Sequence, residues 1–123
     1  MSNPNSTYAA DLAAKLRGAI EHGDEKTLVS FYTDDAKIEV FDRNRPPSQP
    51  TILSCRPAIA EYYHDVCSRA MTHTVEQAIA GPDGIAFTEA CRYDTGERVI
   101  SANLLTINGD KITRHTLVQA WDE

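Results

Sequence analysis

The sequence predicts an α+β fold in a single domain, with helices laid against one face of a strongly curved sheet. Three observations carry this. Apolar residues in the first third recur at three- and four-residue spacing, as one stripe of a helix does. From the middle of the chain the period falls to two, as a strand with one buried face requires. The period-two segments are separated by Gly81-Pro82-Asp83-Gly84, Asp94-Thr95-Gly96 and Asn108-Gly109, which are turn signals. Runs of helix followed by runs of strand indicate α+β. A chain of 123 residues matches the roughly 100–150 residues of one domain. Residues 1–7 are expected as a flexible N-terminus and residues 8–123 as the domain.

The first helix is predicted from Tyr8, Leu12, Leu16 and Ile20, joined by Ala9, Ala13 and Ala19. Ser6 or Thr7 offers its cap, and Gly23 the positive φ that ends it. Asp24 caps a shorter second helix with Leu28, Phe31 and Tyr32 on one side. Ile38 and Val40 alternate with Lys37 and Glu39, giving a first strand from Ala36. Arg43 to Thr51 carries three prolines and reads as an exposed, irregular segment, either a plain surface loop or a flap over a cavity mouth. Pro57, at a first-turn position, opens a third helix whose apolar side is Ile59, Tyr62, Tyr63, Val66, Cys67 and Ala70. The remaining strands are His73–Ala80, Ile85–Tyr93, Val99–Ile107 and Ile112–Trp121, in an antiparallel meander. Asn108-Gly109 is the strongest hairpin signal among its turns.

Composition narrows the function. Eighteen acids against twelve bases give a net charge of −6, the wrong sign for nucleic acid or an anionic membrane surface. No apolar run approaches the roughly 18 residues of a membrane span. Met1–Thr7 lacks the basic and apolar regions of an export signal. Cys55, Cys67 and Cys91 are odd in number and lack metal-ligand spacing. Reduced thiols and a cytoplasmic location are therefore expected. No pair of His, Asp or Glu residues has ligand spacing on one predicted face, and no Gly-rich phosphate loop is present, so neither metal nor cofactor is expected.

The element order, together with Gly23-Asp24, Phe31-Tyr32-Thr33-Asp34-Asp35-Ala36 and Asn108-Gly109-Asp110-Lys111-Ile112, resembles the nuclear transport factor 2-like superfamily, above all its SnoaL-like and ketosteroid isomerase-like members. The resemblance covers nearly the whole chain. It implies a cystatin-like cone of order α-α-β-α-β-β-β-β with a mostly apolar pocket, and a homodimer packed through the sheet. It also implies what is missing. The ketosteroid isomerase base, an aspartate near the end of the first strand, corresponds to Val40. The oxyanion-holding tyrosine and protonated aspartate correspond to Leu16 and Asn103. Two tyrosines of the supporting network are kept as Tyr32 and Tyr63. Without the base, steroid isomerisation is not expected.

Alternation then selects the candidate site. Ser101, Asn103, Leu105 and Ile107 share one face, as do His115, Leu117, Gln119 and Trp121. A buried amide must be paired, so Asn103 is expected to bond Tyr63, a water or a ligand carbonyl, or else to be a satisfied core amide. His115 is the titratable group near neutrality on the expected concave side; it can serve as acid or base, with Tyr63 orienting it, or be packed. Gln119 and Trp121 suit a small-molecule wall, as they suit core filling. His73 can reach the pocket mouth, Asp42 and Glu39 are the acids nearest the missing base, and His64 is expected in solvent. For Glu89 and Arg92, on opposite faces of one strand, register stays open: one residue in the following turn decides whether a carboxylate or a cation points inward. The expected function is binding of a small, mostly apolar molecule bearing a carbonyl or hydroxyl. The alternatives are a cofactor-free isomerase, cyclase or dehydratase using His115, Tyr63 and Asn103 or a carboxylate, and a protein-interaction module. Ligand contacts are expected from Leu16, Tyr32, Val40, Tyr63, Asn103, Leu105, Leu117, Gln119 and Trp121.

Overall fold

The computed structural model describes residues 4–122, with side chains from Tyr8 onward. Helices α1 (Pro4–His22) and α2 (Glu25–Ser30) precede strands β1 (Tyr32–Phe41) and β2 (Thr51–Ser54). Helix α3 (Cys55–Cys67) follows, and then the run β3 (Met71–Gly81), β4 (Gly84–Tyr93), β5 (Arg98–Asn108) and β6 (Lys111–Trp121). The strands form one sheet in the order β2-β1-β6-β5-β4-β3. Every pairing is antiparallel except β1 with β6, which is parallel. The α+β class and the antiparallel run from β3 to β6 are as expected, and β1 joins that run in parallel through β6.

The first helix begins at Pro4, earlier than the apolar stripe suggests, because proline suits a first turn whose N–H groups have no helical acceptor. Ser6 and Thr7 therefore lie inside α1 rather than capping it; of the expected flexible segment, residues 1–3 lie outside the described residues. Leu12, Leu16, Ala19 and Ile20 are buried as the stripe requires, while Tyr8 is half exposed at its outer end. The α2 cap is as expected, with the Asp24 carboxylate accepting from the Thr27 N–H at 3.3 Å and from the Thr27 hydroxyl at 2.6 Å. Those two bonds hold the Asp24 carboxyl below its ordinary range.

Other boundaries differ from the sequence reading as well. Tyr32 opens β1 instead of closing α2, because the Phe31 carbonyl accepts the Ile112 N–H at 2.7 Å and draws the chain into the sheet. Thr51–Ser54, read as loop and connection, pairs with Lys37–Val40 as the short edge strand β2. α3 starts at Cys55, two residues before Pro57, and ends before Ala70, which is exposed. Cys55 adopts φ 73° at this strand-to-helix junction, a left-handed conformation that an L side chain takes at a cost of about 1–2 kcal/mol.

The core lies between the helices and one sheet face. β5 alternates perfectly, burying Val99, Ser101, Asn103, Leu105 and Ile107 and exposing the residues between. The β4–β5 register pairs Phe87 with Asn103, Glu89 with Ser101 and Cys91 with Val99. That resolves the open choice: Phe87, Glu89 and Cys91 face inward, and Arg92 is exposed. In β3 the pairing to β4 slips by one residue between Val75 and Gln77. This bulge turns the first half of β3 over, so that His73 and Val75 face the core.

Candidate active site

The inner face of β3–β6 and α3 enclose a cavity of about 70 Å³, several times the ~10–15 Å³ that one water needs. Phe87, Val99, Leu117 and Met71 supply apolar wall, and Tyr63, Ser101, Asn103, His115, His73 and Glu89 supply polar groups. Two constellations stand out.

The first is a chain of hydrogen bonds running from α3 to β5. The Tyr63 and Tyr32 hydroxyl oxygens are 2.6 Å apart, Tyr32 Oη lies 2.9 Å from His115 Nδ1, His115 Nε2 lies 2.8 Å from Asn103 Oδ1, and Asn103 Nδ2 donates to Ser101 Oγ at 3.0 Å. The directions follow from the last bond. Since Asn103 donates through Nδ2, its carbonyl accepts from His115 Nε2–H; Nδ1 must then accept from the Tyr32 hydroxyl, whose oxygen accepts from Tyr63. Burial pushes the His115 pKa down to about 3, so the ring is neutral at physiological pH, as this bonding requires. Burial likewise raises the Tyr32 and Tyr63 hydroxyls above their ordinary range. Both nitrogens of His115 are engaged, which leaves it no lone pair for a substrate proton. Tyr63 acts on His115 only through Tyr32, and Asn103 bonds His115 and Ser101 rather than Tyr63.

The second constellation was not assembled by sequence reasoning. His73 Nδ1 lies 2.9 Å from Glu89 Oε2 and 3.2 Å from Cys91 Sγ, and the Cys91 thiol donates to Glu89 Oε2 at 3.0 Å. His73 sits directly opposite Cys91 across the β3–β4 ladder, and Glu89 is the diagonal neighbour. The His73 side chain is 9% exposed and that of Glu89 16%, so this carboxylate is largely withdrawn from water. Burial first, and then the Glu89 charge, push the Cys91 thiol well above its ordinary pKa. Three potential metal ligands thus meet: Glu89 and Cys91 lie two residues apart on one face of β4, and the pairing of β3 sets His73 opposite them.

At the mouth, Trp121 stacks against Tyr93 with centroids 6.3 Å apart, its indole N–H donates to Gln119 Oε1 at 3.1 Å, and Arg43 lies 4.8 Å over its ring. Arg69 donates to the Tyr93 hydroxyl at 3.0 Å and to Asp65 at 2.6 Å. Of the expected contacts, Tyr63, Asn103, Leu117, Gln119 and Trp121 line the cavity together with His115. Leu16, Tyr32, Val40 and Leu105 do not. Leu16 borders a separate small void with Val75, Ile85 and Phe87; Tyr32 stands one layer behind Tyr63; Val40 and Leu105 are packed into the core. Asp42 is in the following turn, accepting the Asn44 N–H at 2.9 Å, and Glu39 pairs with Arg114 at 2.9 Å, so neither replaces the missing base. His64 is exposed beside Glu25, as expected. The three cysteines are free thiols.

No family model and no curated protein sequence matches the chain. Solved structures do. A nuclear transport factor 2-like protein of unknown function from Mesorhizobium loti superposes with a TM-score of 0.84 at 13% identity, covering 98% of this chain and 97% of that one. A candidate ketosteroid isomerase from Kribbella flavida gives 0.78 at 15% identity over 97% and 81% of the two chains. The epoxide hydrolase/cyclase-like enzyme SalBIII, from pyran ring formation in salinomycin, gives 0.74 at 18% identity over 98% and 95%. With its element order and its sheet topology, the chain has the nuclear transport factor 2-like fold.

Proposed function

We propose that the cone binds a small, mostly apolar molecule bearing a carbonyl or hydroxyl group, in the manner of SnoaL-like and ketosteroid isomerase-like proteins. The observation that carries this reading is the cavity itself: an apolar void into which a few polar groups converge is how small-molecule sites are built. With Tyr63, Tyr32, His115 and Asn103 locked to one another, the groups left to address a ligand oxygen are the second Asn103 N–H and the Ser101 hydroxyl. Trp121, the single tryptophan, reports on occupancy. Titration with a panel of apolar ketones and alcohols should quench its emission saturably, and Leu117→Phe, which narrows the cavity, should weaken the response. A panel without response, or a response untouched by Leu117→Phe, would overturn the reading.

One observation favours a second reading, a cofactor-independent isomerase, cyclase or dehydratase. Glu89 is a largely buried carboxylate facing the cavity, and it can take the place of the base absent at Val40. In this reading Glu89 removes a proton from carbon beside a carbonyl, and Asn103 and Ser101 donate to the oxygen where charge develops. His115, with both nitrogens engaged, is not the base. Glu89→Gln should then lower turnover by about 10²-fold or more while leaving Trp121 quenching intact. An unchanged rate would remove Glu89 from the chemistry.

The outer sheet face carries Ile100, Leu104 and Val118, each at least half exposed, on neighbouring central strands with Ala102 opposite Val118. No helix among the described residues covers them. This strip fits a homodimer packed through the sheet, since an apolar patch on central strands can be self-complementary about a two-fold axis. A cytoplasmic location accords with the three free thiols, and no described helix is long and apolar enough to cross a membrane.

A further inference from the structure

We infer that His73, Glu89 and Cys91 form a three-ligand site for a divalent transition metal of zinc type, with its open coordination position facing the cavity. The donor set is one imidazole nitrogen, one carboxylate oxygen and one sulfur. Mixed nitrogen, oxygen and sulfur sets of this kind suit a borderline-soft ion, whereas Mg²⁺ and Ca²⁺ take oxygen alone. Three protein ligands with a fourth place left to water or substrate is also the pattern of catalytic rather than structural zinc sites.

Placement supports the inference as much as identity does. The three donor atoms lie within 4.8 Å of one another and come from adjacent strands paired to each other at these residues, so they are held by the sheet rather than by mobile loops. Their present separations are 2.9, 3.0 and 3.2 Å. Tetrahedral coordination at about 2.0–2.3 Å per ligand sets neighbouring donors roughly 3.3–3.6 Å apart. Side-chain adjustments of a few tenths of an ångström, with no backbone movement, bridge the difference. The hydrogen bonds that now join the trio are those an ion replaces. Cys91 loses its thiol proton to solvent as the sulfur–metal bond forms, and His73 and Glu89 each contribute a lone pair. A dication with one thiolate and one carboxylate is a neutral assembly, which suits a poorly hydrated cavity. The bulge between Val75 and Gln77 then has a purpose, since without it His73 would point to the opposite face.

The inference shares its cavity with the binding reading but does not stand on it, and where a metal is held Glu89 is a ligand rather than the free base. Cobalt(II) is the probe of choice because a cobalt–thiolate bond absorbs intensely in the near ultraviolet. Full-length protein, stripped with chelator and kept reduced, should bind one Co²⁺ per chain with that absorption, and Zn²⁺ should displace it. Cys91→Ser should abolish the absorption although Cys55 and Cys67 remain, and His73→Gln should weaken Co²⁺ binding at least about 10-fold. Should either variant fail to fold, the unmodified protein decides alone. Co²⁺ bound without the thiolate absorption, or no binding at micromolar metal, overturns the inference, as does a signal that survives Cys91→Ser. Trp121 quenching by ketones is measured separately in excess chelator, so failure of the metal site and failure of the binding reading are told apart.

Discussion

A neutral imidazole buried between a phenol and an amide makes the fold sensitive to acid. His115 is fully enclosed, and its pKa lies near 3 in the folded chain against an ordinary 6.5. Between those values the unfolded chain carries one proton that the folded chain refuses. The stability that this group contributes is therefore complete above about pH 6.5 and is lost as pH falls toward 3, with a slope of at most about 1.4 kcal/mol per pH unit. Carboxylates titrate over the same range, so a variant must isolate the effect. His115→Leu should be less stable at neutral pH by about 2–4 kcal/mol, since it leaves Asn103 Oδ1 without its donor and takes from the Tyr32 hydroxyl its acceptor, with only the bond to Tyr63 remaining there. Its disadvantage should shrink on acidification, by roughly one proton's slope, in urea melts run from pH 4 to 7. Two melting series that stay parallel would show that the ring is protonated in the folded state.

At the level of elements, strain is concentrated where β2 turns into α3. Cys55 holds φ 73° there while its side chain is exposed, so glycine relieves the steric cost without leaving a cavity. The relief of about 1–2 kcal/mol exceeds the ~0.5–1 kcal/mol by which glycine favours the unfolded chain. Cys55→Gly should accordingly raise stability slightly, and a loss above 1 kcal/mol in denaturant melts would refute the account. The same junction shows what the sequence conceals. β5 was legible because it alternates without interruption, and β6 because it alternates from His115 to Trp121, beyond an irregularity between Ile112 and Arg114; with them came Asn103, His115 and Leu117. β2 was not, because its four residues form a short, partly exposed edge in which the apolar Ile52 and Leu53 are adjacent, so that the sequence does not show the alternation that the burial has. Tyr32 continued the apolar spacing of Leu28 and only the bond from Ile112 to Phe31 assigns it to the sheet. The trio of His73, Glu89 and Cys91 was hidden more deeply. Glu89 and Cys91 share a face by alternation, but that this face is the inner one follows from the β4–β5 register, and His73 joins it only through the β3–β4 register and the bulge in β3. Neither register leaves a pattern along the chain.

For the whole molecule, the two faces of the sheet have opposite duties. The concave face is covered by helices and holds the cavity, while the convex face leaves Leu104 at 62% exposure, Ile100 at 53% and Val118 at 50%. Large aliphatic residues at the centre of a sheet, in a chain with net charge −6, are costly to hydrate and give the convex face its one reason to associate. A partner that covers them must meet an antiparallel β5–β6 surface, and an identical surface turned about a two-fold axis does so with every apolar position matched by its own copy. Light scattering should therefore give a mass twice the 13.6 kDa of one chain. Leu104→Asp should reduce it to one chain, because it sets two carboxylates near the axis in an apolar interface. Since Leu104 points away from the cavity, the variant should keep its far-ultraviolet circular dichroism and its Trp121 quenching. A monomeric unmodified chain would return the strip to the status of a surface awaiting another protein. A dimer indifferent to Leu104→Asp would place the interface elsewhere, most directly on the edges formed by β2 and β3, where unpaired backbone groups remain available.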